Sequence, residues 1–330
     1  MKKSVSLILT ALLSISLISG CTQQKEAAAP EVSETPINVA VMKGPTGMGM
    51  VSLMNQSEEG ASLNPYNFRI SGTADEIVAD IVKGELDIAA VPANLASVLY
   101  NKTEGKISAA AINTLGVLYI VENGNTVNSL EDLKGKTVYS TGKGTTPEYA
   151  LNYLLTSNGI DPQKDLTIEY KAESTEVAAV LASTPDAIGV LPEPFVTVAK
   201  SKNENLRDAI SFGDEWKKIN GEELVTGVLI VRNEFLENNQ GAFETFLSEY
   251  KASTEFTKSA PDAAAELVGK YEIVPAPVAK IAIPKSNITF IAGEDMKANL
   301  GAYLQILFDQ DPKSVGGKLP GEEFYFMNQK

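Results

Sequence analysis

Four residues carry the first chemical reading: Thr141, Gly142, Thr145 and Thr146, in the run Thr137-Val-Tyr-Ser-Thr-Gly-Lys-Gly-Thr-Thr-Pro147. A β-rich segment ends there in a Gly/Thr loop. Pro147 opens a helix, because the N–H it lacks has no partner in a first turn anyway. Glu148 follows, where the helix dipole favours a negative charge. The glycines let backbone approach a bound group, and the threonines set hydroxyls beside helix-end N–H groups. Such a loop is a clamp for a small ligand.

A second copy of this plan lies far upstream. Ile37–Met42 reads as a strand, Lys43-Gly-Pro-Thr-Gly-Met-Gly49 as its loop, and Met50–Asn55 as a helix. Two strand–loop–helix units predict two α/β lobes facing each other across a cleft. In the first loop Lys43, Gly44, Thr46 and Met48 are the candidate contacts. Met42, Met48 and Met50 can form an adaptable apolar wall, with Met54 in the core.

Further candidates recur at the carboxyl ends of strands, where open α/β sheets bind ligands. Pro92 and Asn94 follow the Asp87–Val91 strand, with Asn94 as a helix cap. Asn113 and Thr114 end the run from Ile107, Phe195 follows the Asp186–Leu191 strand, and Thr226 stands at the head of an apolar run reaching Arg232. Each alone reads equally well as a turn or cap residue; their recurrence at equivalent places strengthens the set. Glu193, fixed between Pro192 and Pro194, either faces the cleft, where a buried carboxylate needs a cation or donors, or bridges neighbouring backbone.

Composition removes several chemistries. The chain has no histidine, which excludes Ser-His mechanisms and most zinc sites. No metal and no cofactor are expected. Gly142-Lys143 lacks both the upstream Gly and the following Ser/Thr of a phosphate loop, and the first loop is not G-x-G-x-x-G. The formal net charge is −14, which repels nucleic acid.

The positions of these loops follow from the order of elements. Residues 1–20 form a leader: Lys2 and Lys3 precede an apolar stretch, and Leu17-Ile-Ser-Gly-Cys21 resembles the bacterial lipobox. Cys21, the only cysteine, is the expected lipidation site. Residues 21–36 are too polar and Pro-rich to bury a core and read as a flexible tether. Beyond Ile37, strands alternate with helices, the pattern of an α/β protein with mostly parallel sheets flanked by helices. Apolar runs Gly116–Val121 and Val225–Arg232 are the expected crossover segments. They divide the chain into one lobe of residues 37–121 and 226–330 and another of residues 122–225.

Gly84-Glu-Leu-Asp-Ile-Ala-Ala-Val-Pro92 and Leu130-Glu-Asp-Leu-Lys-Gly-Lys-Thr-Val138, with the lipobox, resemble solute-binding lipoproteins of ABC importers. Ile188-Gly-Val-Leu-Pro-Glu-Pro-Phe195 is similar to the nitrate, sulfonate/taurine and thiamine-precursor branch of the type II periplasmic-binding-protein fold. The resemblance implies a two-lobed monomer with its crossovers at the hinge, closing over one small molecule and delivering it to a permease and its ATPase. It implies no enzyme activity, and contact with the membrane only through the N-terminal lipid, on the outer face of the cytoplasmic membrane or in a periplasm. The first loop, Pro92–Asn94, Thr141–Thr146 and Glu193 correspond to family ligand positions. Two other readings stand beside it: an enzyme on the same fold, whose pyrimidine-forming relatives rely on histidine, and a surface lipoprotein acting through a protein partner. Only Arg69, Arg207 and Arg232 can offer a guanidinium fork. The expected ligand is therefore a neutral or cationic heteroaromatic such as a thiamine pyrimidine precursor. An organosulfonate held by Lys43, Lys143 and helix ends comes second.

Overall fold

A computed structural model describes residues 32–327. The leader and Cys21 lie outside the described residues. The chain opens with β1 (Ile37–Met42), the one-turn α1 (Pro45–Met48) and α2 (Val51–Glu58). Next come β2 (Tyr66–Ser71), α3 (Ala74–Lys83), β3 (Ile88–Pro92), α4 (Ala93–Lys102) and β4 (Ile107–Thr114). The middle holds β5 (Leu118–Glu122), β6 (Thr137–Ser140), α5 (Thr146–Ser157), β7 (Thr167–Tyr170) and α6 (Ser174–Ser183). It continues with β8 (Ile188–Pro192), α7 (Phe195–Lys202), β9 (Arg207–Ser211) and α8 (Phe212–Asn220). Last are β10 (Gly227–Arg232), α9 (Asn233–Asn238), α10 (Gln240–Ser259), α11 (Pro261–Lys270), α12 (Ala276–Ala282), β11 (Ile288–Ile291) and α13 (Gly293–Gln310).

The strands form a six-stranded sheet, β11-β4-β10-β3-β1-β2, and a five-stranded sheet, β7-β6-β8-β5-β9. Both are mixed rather than mostly parallel. β1 runs parallel to β2 and β3, but β10 is antiparallel to β3 and β4, and β11 to β4. In the second sheet β6 runs parallel to β7 and β8, while β5 is antiparallel to β8 and β9. The inserted antiparallel strands β5 and β10 come directly after the two passages between sheets.

β5 lies wholly in the second sheet, so the first passage runs through residues 115–117 and not along Gly116–Val121. The contact there is tight: a Cβ on Gly116 would stand 2.9 Å from Gly213 Cα. The expected tether is also shorter. Ser33 is buried, and its N–H donates to Asn64 Oδ1 at 2.7 Å.

Local sequence explains the helices. α3 buries Ile77 and Ile81, carries Asp75 and Glu76 in its first turn, and ends on Gly84 at φ 79°, a left-handed position that suits glycine. Ser129 and Asp132 form the reciprocal capping box expected at the short helical turn Leu130–Leu133. One apolar cluster joins both lobes: Ile77 and Leu99 belong to it, as do Leu154, Trp216 and Leu307. A second, with Phe243, Phe246 and Tyr250, backs the six-stranded sheet under α10. Among the described residues, no helix is long and apolar enough to cross a membrane.

Candidate functional site

A cavity of about 370 Å³ lies between the lobes. The first loop contributes Lys43, Gly44 and Thr46, and the strand ends contribute Pro92, Thr114 and Thr226. From the second lobe come Thr141, Gly142, Thr145, Thr146 and Phe195. Eleven of the fifteen candidate ligand residues therefore meet at one surface.

The other four do not reach it. Met48 is fully buried in a core cluster with Val268 and Ile273, as are Met50 and Met54 elsewhere in the core; of the methionine wall only Met42 lines the cavity. Asn94 does not cap α4, whose cap is Pro92; its side chain is buried between α4, α5 and the turn after α13. Asn113 is buried and accepts from Thr114 Oγ1 at 3.1 Å. Glu193 is 1% exposed, and its oxygens accept from Thr197 N at 3.2 Å and Thr197 Oγ1 at 3.0 Å. It thus satisfies the start of α7, where first-turn N–H groups lack intrahelical partners.

Burial pushes the Glu193 carboxyl above the ordinary range, against the Thr197 bonds, which pull it down. A raised folded-state pKa means the folded protein binds this proton more tightly. Stability then falls as pH rises from the ordinary carboxylate value through the raised one. Glu193→Gln keeps an acceptor for Thr197 and removes the titration. The variant should gain on the wild type between pH 5 and 8 in urea midpoints; a constant offset would contradict the assignment.

Several wall residues were missed. Gly72, Thr73, Ala74 and Asp75 come from the start of α3, and Glu173 and Ser174 from the start of α6. Their signal was present, since each short loop joins a strand end to an amphipathic helix, as do the loops that were recognised. Consequently α1, α3, α4, α5, α6 and α7 all begin at the cavity. Helix starts concentrate partial positive charge and free N–H groups.

The threonines, expected as hydroxyl donors, spend their protons inside the protein. Thr46 Oγ1 donates to Met42 O, Thr145 Oγ1 to Gly142 O at 2.7 Å, and Thr226 Oγ1 to Leu115 O at 2.5 Å. Thr114 and Thr146 donate to the Asn113 and Asn94 side chains. What these five leave for a ligand is hydroxyl lone pairs, methyl surface and adjacent backbone, while Thr141 Oγ1 pairs with Ser174 Oγ at 3.4 Å.

Among the three lysines of the wall, Lys143 Nζ sits 5.7 Å over the Tyr170 ring, and Lys171 Nζ sits 3.6 Å from Glu169. Lys43 forms no ion pair among the described residues. Asp75 and Glu173 are the acidic members of the wall; Asp75 is exposed and Glu173 half-buried. Met42, Val91, Val117, Leu118 and Phe195 give the remaining surface an apolar character. The arrangement suits a small molecule with a polar, electron-rich head and an apolar body.

Comparison with known structures places this geometry. A crystal structure of an ABC transporter protein from Parabacteroides distasonis superposes with TM-score 0.75 at 23% identity, covering 90% of this chain and all of that one. The periplasmic aliphatic sulphonate binding protein SsuA from Escherichia coli gives TM-score 0.69 at 15% identity, over 92% and 94% of the two chains. The periplasmic nitrate-binding protein NrtA from Synechocystis PCC 6803 gives 0.64 at 15%, over 87% and 85%. These likenesses establish the two-lobed periplasmic-binding-protein fold. No curated protein matches the chain. The sequence profile of the phosphonate ABC-transporter periplasmic substrate-binding proteins, however, matches residues 62–255, more than half of the sequence. The chain belongs to that family of ABC-transporter substrate-binding proteins.

Proposed function

We propose that the protein captures a small organic oxyanion, with a phosphonate, sulfonate or carboxylate head and an apolar body, and passes it unchanged to a permease and its ATPase. In this reading Cys21 carries the lipid that holds the chain at the outer face of the membrane. The passages at residues 115–117 and before β10 serve as the hinge, residues 118–225 forming one lobe and the flanking parts the other.

The observation that carries the reading is the convergence of six helix starts on a cavity whose Lys43 forms no ion pair among the described residues. Each helix start favours a negative charge by about 0.3–1 kcal/mol at exposed sites and more when partly buried. Asp75 and Glu173 oppose this, but Asp75 is exposed to solvent and weakly felt. With Glu193 removed from the wall, a cationic heteroaromatic loses its main expected partner. The cavity is several times larger than a bare oxyanion needs, and the apolar side chains give the surplus an occupant.

A thermal-shift screen of the purified chain tests this with methylphosphonate, phenylphosphonate, alkanesulfonates, nitrate and thiamine. A ligand at one hundred times its Kd should add about 2.7 kcal/mol, a shift of several degrees. Stabilisation by an organic phosphonate or sulfonate, reduced in Lys43→Ala, is the expected result. A response to thiamine alone would overturn the oxyanion reading.

A further inference from the structure

Asn94 was expected in the ligand site and is instead fully buried where three elements meet. Its Nδ2 donates to Ser314 O at 2.9 Å and across the cleft to Gly144 O at 3.3 Å. Its Oδ1 accepts from Thr146 Oγ1 at 3.3 Å, and Thr146 Oγ1 accepts in turn from Tyr303 OH at 3.1 Å. Tyr303 is buried in α13, and desolvation pushes its phenol up, so it stays a donor. The relay therefore runs from α13 through the first residue of α5 to α4, joining both lobes.

Apolar packing closes around it. Trp216 of α8 lies 4.7 Å from the Tyr153 ring and 5.5 Å from Tyr303. Leu151, Leu154, Leu300 and Leu304 are buried in the same cluster. Elsewhere the lobes touch at the mouth of the cavity and where α7 packs against α12. Glu173 Oε1 lies 3.0 Å from where a Cβ on Gly72 would sit, and half-buried Val198 of α7 touches the α11–α12 cluster.

We propose that Asn94 and Tyr303 are positioning residues: through Thr146 they keep the start of α5 joined to α4 and α13 while the cleft opens. Parting is then confined to the mouth where Glu173 faces Gly72 and to the contact of α7 with α12. Opening the α4–α5–α13 edge would take away the partners of Asn94 Oδ1, Thr146 Oγ1 and Tyr303 OH and expose the cluster around Trp216, a cost the mouth does not carry.

Native-state hydrogen exchange of the ligand-free full chain, read peptide by peptide, tests this without any ligand, so its outcome is separable from the thermal screen. Peptides over residues 93–102, 146–157 and 293–310 should exchange as slowly as β1 and β10. Peptides over residues 72–75 and 173–176 should exchange at least about tenfold faster, through local opening. Exchange of the α4 and α5 peptides together with the mouth would overturn the proposal. Tyr303→Phe should speed the 93–102 and 146–157 peptides by about tenfold, the loss of one buried hydrogen bond, and leave α10 unchanged. Thr146→Val should do the same and Thr146→Ser should restore the slow rates. Uniform acceleration over the whole chain would reduce the relay to ordinary stability and defeat the assignment.

Discussion

Trp216→Ala is expected to cost about 3–5 kcal/mol of folding stability, the range for deleting a buried aromatic without full collapse of the site. Trp216 has no exposed surface and packs between Tyr153 and Tyr303. α8 supplies it, α5 and α13 close over it, and none of these helices has a second residue of that volume at the junction. The loss should appear as a lower urea midpoint by circular dichroism with an unchanged m-value. Trp216→Phe should recover part of it. A change under about 1 kcal/mol would mean that the junction relaxes around the gap and contributes little to holding the lobes together.

The second large effect is expected at Glu122. This carboxylate is 1% exposed at the end of β5 and accepts from Thr126 N at 2.7 Å, Thr126 Oγ1 at 2.6 Å and Val127 N at 3.1 Å. Arg207 completes the set at 2.8 Å. Burial works to raise its pKa, but the bonds from Thr126, Val127 and Arg207 outweigh burial and hold it below the ordinary value. With a depressed folded-state pKa, Glu122 stabilises fully above the unfolded carboxylate pKa, and the contribution is lost as pH falls through the folded value. Glu122→Ala should cost about 3–4 kcal/mol at pH 7, since it orphans the buried Val127 N–H and the partly buried Thr126 N–H and leaves the Arg207 guanidinium without its carboxylate. The deficit should shrink toward acid pH in midpoints taken from pH 7 to 3. A deficit independent of pH would point to packing rather than charge.

Much of the fold was legible because its signals are local. The Pro147 helix start has the expected form in the structure, and the apolar stripe of α3 with its Gly84 stop and the Ser129–Asp132 capping box rest on signals of the same short range. Strand direction was not legible, because β5 and β10 are apolar runs that read alike in either sense. β9 and α8 were missed: Arg207-Asp-Ala-Ile-Ser is too polar for a buried strand, and α8 sets its buried Phe212 and Trp216 among charged residues. In the site, position along a strand–loop–helix unit was a sound guide and residue chemistry a poor one. Asn94, Asn113 and Glu193 are polar residues at the right places whose side chains turn into the protein to satisfy backbone or neighbours. Gly72–Asp75 and Ser174 carry less conspicuous chemistry, yet their backbone faces the cavity.

The contact between Gly116 and Gly213 bears on how this protein can change. A methyl group at residue 116 would meet backbone, which cannot swing aside as a side chain can. The hinge is therefore closed to substitution at this place. Parts of the cavity wall are built differently: Thr145 bonds to Gly142 O of its own loop, and Lys43 has no ion pair among the described residues, whereas Thr226 bonds to Leu115 O of the passage itself. Wall residues away from the passages and from the Thr146 relay, such as Lys43 and Thr145, can be exchanged one at a time without touching the Gly116–Gly213 contact. At Lys43 and Thr145 the lining of the cavity can thus diverge while the passage between the sheets keeps its form.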